Sequence, residues 1–359
     1  MKYLNALNKI NGTGPQKMRT LLSFFGSAEA AWKAGVAELE KSGIGPSLAE
    51  KISRERTTID PDQEWENLQR ENIKMITSDS PEYPKLLREI PSAPYIIYMK
   101  GNFDLNSAPM ISIVGSRKFT SYGSQVASTF ARDLAAAGIT VVSGMAIGID
   151  GIAHRGALDG GGKTIAVLGG GLDDKNIYPR VNFNLSRDIM ENGALISDFP
   201  FGTPAGIPGN FPARNRIVAG LSLGTLIVEA GEKSGTLITG NLALEFNREV
   251  FSVPGSIFSP QSIGTNALIK KGAKVVTSVK DILEEFDLGR TEEKMTAIVK
   301  IPDSKEEEIL LKILSADPLH IDNISKLSKL ETATVSGTLA MMEIKGWAKN
   351  IGGQNYIII

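Results

Sequence analysis

The chain has 359 residues, 42% hydrophobic and 22% charged, with a formal net charge of -1. That length suits two or three domains, and the near-neutral balance excludes a generally basic DNA-coating protein, so any nucleic-acid site must be a local patch. Cysteine is absent and His154 and His320 are the only histidines, which excludes disulfides, thiolate metal sites, cysteine nucleophiles and histidine-rich metal centres.

The first segment, MKYLNALNKINGTG, lacks the long apolar run of a signal peptide, and no stretch approaches the roughly 18 apolar residues of a membrane span. Together with the missing cysteines this fits a cytoplasmic protein without a membrane partner. Residues 1–62 read as a helical domain containing an internal echo: NGTGPQKMRTLL from Asn11 and SGIGPSLAEKI from Ser42 each place Gly-x-Gly-Pro before a short helix. Proline suits the first helical position. The pair resembles two helix-hairpin-helix (SAM-like) units, whose turns either present backbone N–H groups to a phosphate or merely need Gly and Pro.

Residues 65–288 alternate apolar runs with helical patterns. MISIVG (110–115), ITVVSG (139–144), TIAVLGGG (164–171), ALISDF (194–199), GTLIVEA (224–230) and EVFSVPG (249–255) read as strands. Segments 121–138, 148–158 and 236–247 read as helices between them. Strands apolar throughout, alternating with helices, predict an α/β fold with an extended Rossmann-like parallel sheet covered on both faces. A charged stretch, LGRTEEKMTAIVKIPDSKEEE, then leads to residues 304–359, where three helical patterns and a hairpin with a Gly-Gly turn describe a winged-helix domain. Its third helix, with Met341 and Met342 and few basic residues, is as well suited to protein contact or packing as to a DNA groove.

Ligands of parallel sheets bind beyond the carboxyl ends of the strands. Four such ends run into glycine-rich turns: Gly115-Ser116-Arg117, Gly144 to Asp150, Gly169 to Gly171, and Gly231 to Thr236. Any one turn can serve close packing; four together, with Arg117, Lys163, Arg214 and Arg216, predict an anion groove. GSRKFTSYG does not match G-x-G-x-x-G, and Gly162-Lys163-Thr164 has alanine at 157 and precedes its strand, which weakens both NAD and ATP. No cofactor is expected. Asp150 and His154 lie four apart on one helical pattern, as a structural hydrogen bond or a dyad. Glu229 to Thr236 resembles the nucleotide-binding turn of the cytokinin-activating phosphoribohydrolases, which keeps open a nucleotide-processing enzyme with Glu229 or Asp150 as base.

The segments GSRKFTSYG, SGMAIGIDGIAHRGAL, TIAVLGGGLDDKNIYP, ISDFPFGTPAGIPGNFPARNRIVAGL, VEAGEKSGTLIT and FSVPGSIFSPQSIGTNALIKKGA, in that order, strongly resemble the DNA-processing protein A (DprA/Smf) family over about residues 80–285. The resemblance implies a non-catalytic, homodimeric, cytoplasmic protein that binds single-stranded DNA, protects incoming strands in natural transformation and loads the RecA recombinase. It places Arg117 and Lys163 in the DNA pocket, with Asn210, Phe211, Arg214, Asn215 and Arg216 of the Asn-Phe-Pro-x-Arg-Asn-Arg signature beside them. Gly115, Ser116 and Gly144 complete the candidate site. Phe211 is either a face for an unstacked base or an anchor under its loop.

Overall fold

The structure, a computed structural model, describes residues 1–207, 209–288, 302–315 and 317–358. It divides into two compact units on either side of the charged stretch, whose residues 289–301 lie outside the described residues.

In the first unit, nine strands form one sheet: β1 (Ile73–Thr77), β2 (Ile96–Gly101), β3 (Met110–Val114), β4 (Thr140–Ser143), β5 (Thr164–Val167), β6 (Gly193–Ser197), β7 (Gly224–Ile227), β8 (Glu249–Ser252) and β9 (Lys274–Val275). Their order is β1-β2-β6-β5-β4-β3-β7-β8-β9. From β6 to β9 every pairing is parallel, as the sequence predicts, while β1 and β2 add an antiparallel edge that the alternation of runs does not announce. Side chains alternate across each strand. In β3, Ile111 and Ile113 enter one core and Met110 and Val114 the other. Both faces therefore need cover. Helices Ser121–Ala136 and Ile149–Asp159 supply it on one side through Ala127, Phe130, Leu134, Ala153 and Ala157; helix Asn210–Gly220 supplies it on the other through Ile217 and Val218.

The chain winds from β3 outward to β6, crosses back along helix Asn210–Gly220, and continues at β7 on the other side of β3. The winding direction therefore reverses between β3 and β7, and a crevice forms there at the carboxyl ends of the strands.

Residues 1–62 are helical, and helices Pro15–Phe25 and Pro46–Glu55 each begin with proline after Gly14 and Gly45. This region docks on the sheet edge: the buried Tyr98 hydroxyl of β2 donates to Asn5 Oδ1 at 2.7 Å and accepts from Asn8 Nδ2 at 3.1 Å.

In the second unit, helices Lys305–Ile313, Ile321–Ser328 and Thr332–Ile344 pack around Leu310, Ile324, Val335, Leu339 and Met342. Strand β10 (Leu319–His320) pairs with β12 (Asn355–Ile358), which also pairs with β11 (Ala348–Asn350) across the turn holding Gly352 and Gly353. This is the winged helix, with its hairpin where the sequence places it.

Candidate functional site

At the β3/β7 switch point a groove of about 640 Å³ opens, lined among others by Gly115, Ser116, Arg117, Gly144, Phe211, Arg214 and Asn215. Seven of the ten residues singled out from sequence thus meet in one place. The loop after β3 supplies Arg117 and Lys118, both exposed, and the turn after β7 supplies exposed Lys233. None of these three has an ion-pair partner among the described residues. The two glycine turns after β3 and β4 touch: Ile149 N donates to Ser116 O at 3.3 Å. Gly148 makes that approach possible, because its φ is +94° and a Cβ there would lie 2.5 Å from the same carbonyl. The far wall includes the amino end of helix Thr236–Glu245, where Ser234 Oγ accepts from Thr236 N at 3.2 Å.

Arg214 forms the floor. It is 4% exposed, and its Nη1 donates to Gly144 O at 2.6 Å and to Val167 O, tying the ends of β4 and β5 together. Its Nε donates to Asn215 Oδ1 at 3.2 Å. A Cβ on Gly144 would collide with the guanidinium, so the glycine makes room for the arginine. Asp150, 7% exposed, faces the same pocket, and its Oδ2 accepts from Gly144 N at 3.1 Å. Burial lowers the Arg214 pKa to about 10, against the pull of Asp150, so the guanidinium remains charged at neutral pH. Burial raises Asp150, while Arg214 and the backbone N–H groups of Ala146, Gly144 and Gly115 oppose the rise.

Phe211 stands at the rim. The Arg117 guanidinium lies 5.6 Å from its ring centroid and the exposed Tyr178 ring 5.8 Å from it. The ring is half-buried, against Gly169. Asn210 is buried and braces the turn, donating to Gly169 O at 3.0 Å, rather than lining the groove.

Two candidates lie elsewhere. Arg216 follows Arg214 by two residues on one helix, a rotation of about 200°. It therefore points to the opposite face, where it pairs with Asp198 and donates to Ser92 O. The structure does not bring Lys163 to the groove either. It precedes β5, its carbonyl accepting from Val141 N at 3.1 Å, so it sits at the amino end of the strand. At about 3.3 Å per residue, a four-residue strand puts it roughly 13 Å from the mouth. Lys118, Lys233 and Gln261 were not singled out from sequence. Lys118 adjoins Arg117, and Lys233 lies inside a turn already marked as glycine-rich, so proximity to those turns is the signal that would have found both.

The carboxylates considered as bases are engaged. Glu229 is buried under the start of helix Ser121–Ala136, accepting from Thr120 N at 3.0 Å and from the Thr120 hydroxyl. Asp150 is bound as described. His154 does not pair with Asp150: its Nδ1 lies 2.6 Å from Thr164 Oγ1, and burial lowers its pKa to about 3, which keeps it neutral. Among the described residues no group of three or more His, Cys, Asp or Glu side chains is placed to hold a metal, and no helix is long and apolar enough to cross a membrane.

Residues 74–287 match the family model described as DNA recombination-mediator protein A, and residues 299–354 match a DprA winged helix domain. The chain is 37% identical over 391 residues to Protein Smf of Synechocystis, covering 99% of this chain and 98% of that protein. It is 42% identical over 217 residues to DNA processing protein DprA of Bacillus subtilis, covering 60% of this chain and 72% of the relative. Among solved structures, DNA processing protein A of Streptococcus pneumoniae is similar with a TM-score of 0.67 at 32% identity, over 79% of this chain and 98% of that one. That of Helicobacter pylori, described for its single-stranded DNA binding mode, is similar with a TM-score of 0.53 at 32% identity, over 60% of this chain and 95% of that one.

Proposed function

The chain belongs to the DNA recombination-mediator protein A family, and from that premise we propose that its groove holds an extended single strand of DNA. The observation that carries this reading is the convergence of three cations without an ion-pair partner among the described residues, Arg117, Lys118 and Lys233, on a switch-point groove with the Phe211 ring at its rim. The Arg117 fork clamps phosphate oxygens, and the two lysines act as point charges. Gly115 and Ser116 offer backbone to the strand, and Gly144 and Asn215 shape the floor around Arg214. Phe211 offers its ring to an unstacked base. These contacts read backbone and π-face, so binding is strand-selective and tolerant of sequence. Lys163 belongs to a different surface and touches DNA only on a path beyond the groove.

In this reading the protein protects single strands and passes them to the RecA recombinase during transformation, acting in the cytoplasm as a homodimer through residues 65–288, with 1–62 and 304–359 as accessory domains. The family's description as a recombination mediator and the single-strand binding of the Helicobacter pylori relative support it. The test is fluorescence anisotropy with single-stranded and duplex oligonucleotides of equal length at several salt concentrations, followed by recombinase filament assembly on the bound strand. Equal or tighter binding to duplex overturns the groove reading. We propose binding rather than catalysis there, because Glu229 and Asp150 are committed to structural hydrogen bonds; release of free base from nucleoside monophosphates would restore the enzymatic alternative.

A further inference from the structure

Resting on the groove being a single-strand site, we infer that loop 254–262 carries a second base-stacking position outside the groove, formed by Phe258 with Ile257 beside it. Phe258 is 89% exposed and Ile257 79%. Neither belongs to any of the hydrophobic cores among the described residues. The roots of the loop are firmly held. Tyr122 Oη donates to Pro254 O at 2.9 Å, and Asn266 exchanges hydrogen bonds with the Gly255 backbone at 3.3 and 3.0 Å. Ala230 N donates to Gln261 O at 2.8 Å, and Ser116 Oγ donates to Gln261 Oε1 at 3.0 Å. The tip has its own turn, Ser259 N to Ser256 O at 3.0 Å. An aromatic side chain on a braced projection, contributing nothing to a core, is positioned for an external partner.

The surroundings select the partner. Gln261 lines the groove beside Arg117, Lys118 and Lys233. Three residues of chain span at most about 11 Å, so the Phe258 backbone stands within that reach of the groove wall. Segment 254–263, PGSIFSPQSI, has no charged residue of its own. The cations of the groove hold a polyanion, and the tip presents only an apolar, aromatic surface. That division suits a strand whose phosphates leave the groove past Arg117 and Lys118 while a base turns onto the Phe258 ring.

The test uses the full-length protein with Phe258→Ala and Phe258→Trp, and oligothymidylates of increasing length read by anisotropy. Phe258→Ala should bind the shortest groove-filling oligomers as wild type does and longer ones about 5- to 150-fold more weakly, the loss of one stacked base. In Phe258→Trp, tryptophan emission should be quenched by the longer oligomers only. Wild-type affinity of Phe258→Ala at every length overturns this inference and leaves the groove reading intact. So does a change in its sedimentation, which would assign the tip to contact between copies. Failure of the wild type to bind any single strand removes both readings.

Discussion

Replacing Arg214 with alanine separates a floor residue from a ligand clamp. The substitution removes the cation facing buried Asp150 and leaves the carbonyls of Gly144 and Val167 without their donor. Removing one partner of a buried pair costs about 3–5 kcal/mol. At roughly 2 °C per kcal/mol, the value for large domains, the first unit should melt roughly 6–10 °C lower. The deficit should also depend on pH. Without Arg214 to oppose it, burial raises Asp150 further, so the folded state holds its proton more tightly than the unfolded state. A carboxyl raised on folding contributes stability below its unfolded pKa and loses it as pH rises towards its folded pKa. The variant's deficit should therefore be smallest in mild acid and grow towards neutrality. Thermal unfolding followed by circular dichroism at several pH values, with Asp150→Asn/Arg214→Met as a neutral replacement that recovers part of the loss, is the assay. A melting temperature within a degree or two of wild type, flat with pH, would refute the brace.

Arg117→Ala, at an exposed position, should leave the melting temperature unchanged and weaken single-strand binding, lowering the slope of log affinity against log salt by about 0.7; titrations at three or more salt concentrations check it. Lys163→Ala should change neither the affinity nor the salt slope for groove-length oligomers, and a drop matching that of Arg117→Ala would show that the strand reaches the opposite end of β5. Arg216→Ala should lower stability, since it leaves the half-buried Asp198 without its partner, while the salt slope for short oligomers stays as in wild type, measured by melting and anisotropy together. Glu229→Ala should cost about 1–3 kcal/mol in urea unfolding by leaving the N–H and hydroxyl of Thr120, the cap of helix Ser121–Ala136, without their buried acceptor.

Local periodicity was enough to read most of the elements. Apolar runs alternating with 3.6-residue patterns specify parallel strands with crossovers, Gly-x-Gly-Pro marks two helix starts, and the Gly-Gly hairpin marks the wing. The glycine-rich turns also announced the groove by their number, since close packing explains any one of them but not four together, and those after β3, β4 and β7 line it. The antiparallel β1 and β2 were not legible, since an apolar run does not reveal which strand it pairs with or in which direction. What each cation does depends on long-range packing. Arg214 and Arg216 diverge because two residues turn a helix by about 200°, and which of them meets the groove depends on the face the helix lays on the sheet. Lys163 is excluded by strand direction, which puts the residue before a parallel strand at the end opposite its ligand mouth. Glu229 and Thr120, 109 residues apart, are hydrogen-bonded only once β7 lies beside β3. A charge acquires its role from the partners that folding sets against it, and those partners lie far beyond the window in which a sequence pattern repeats.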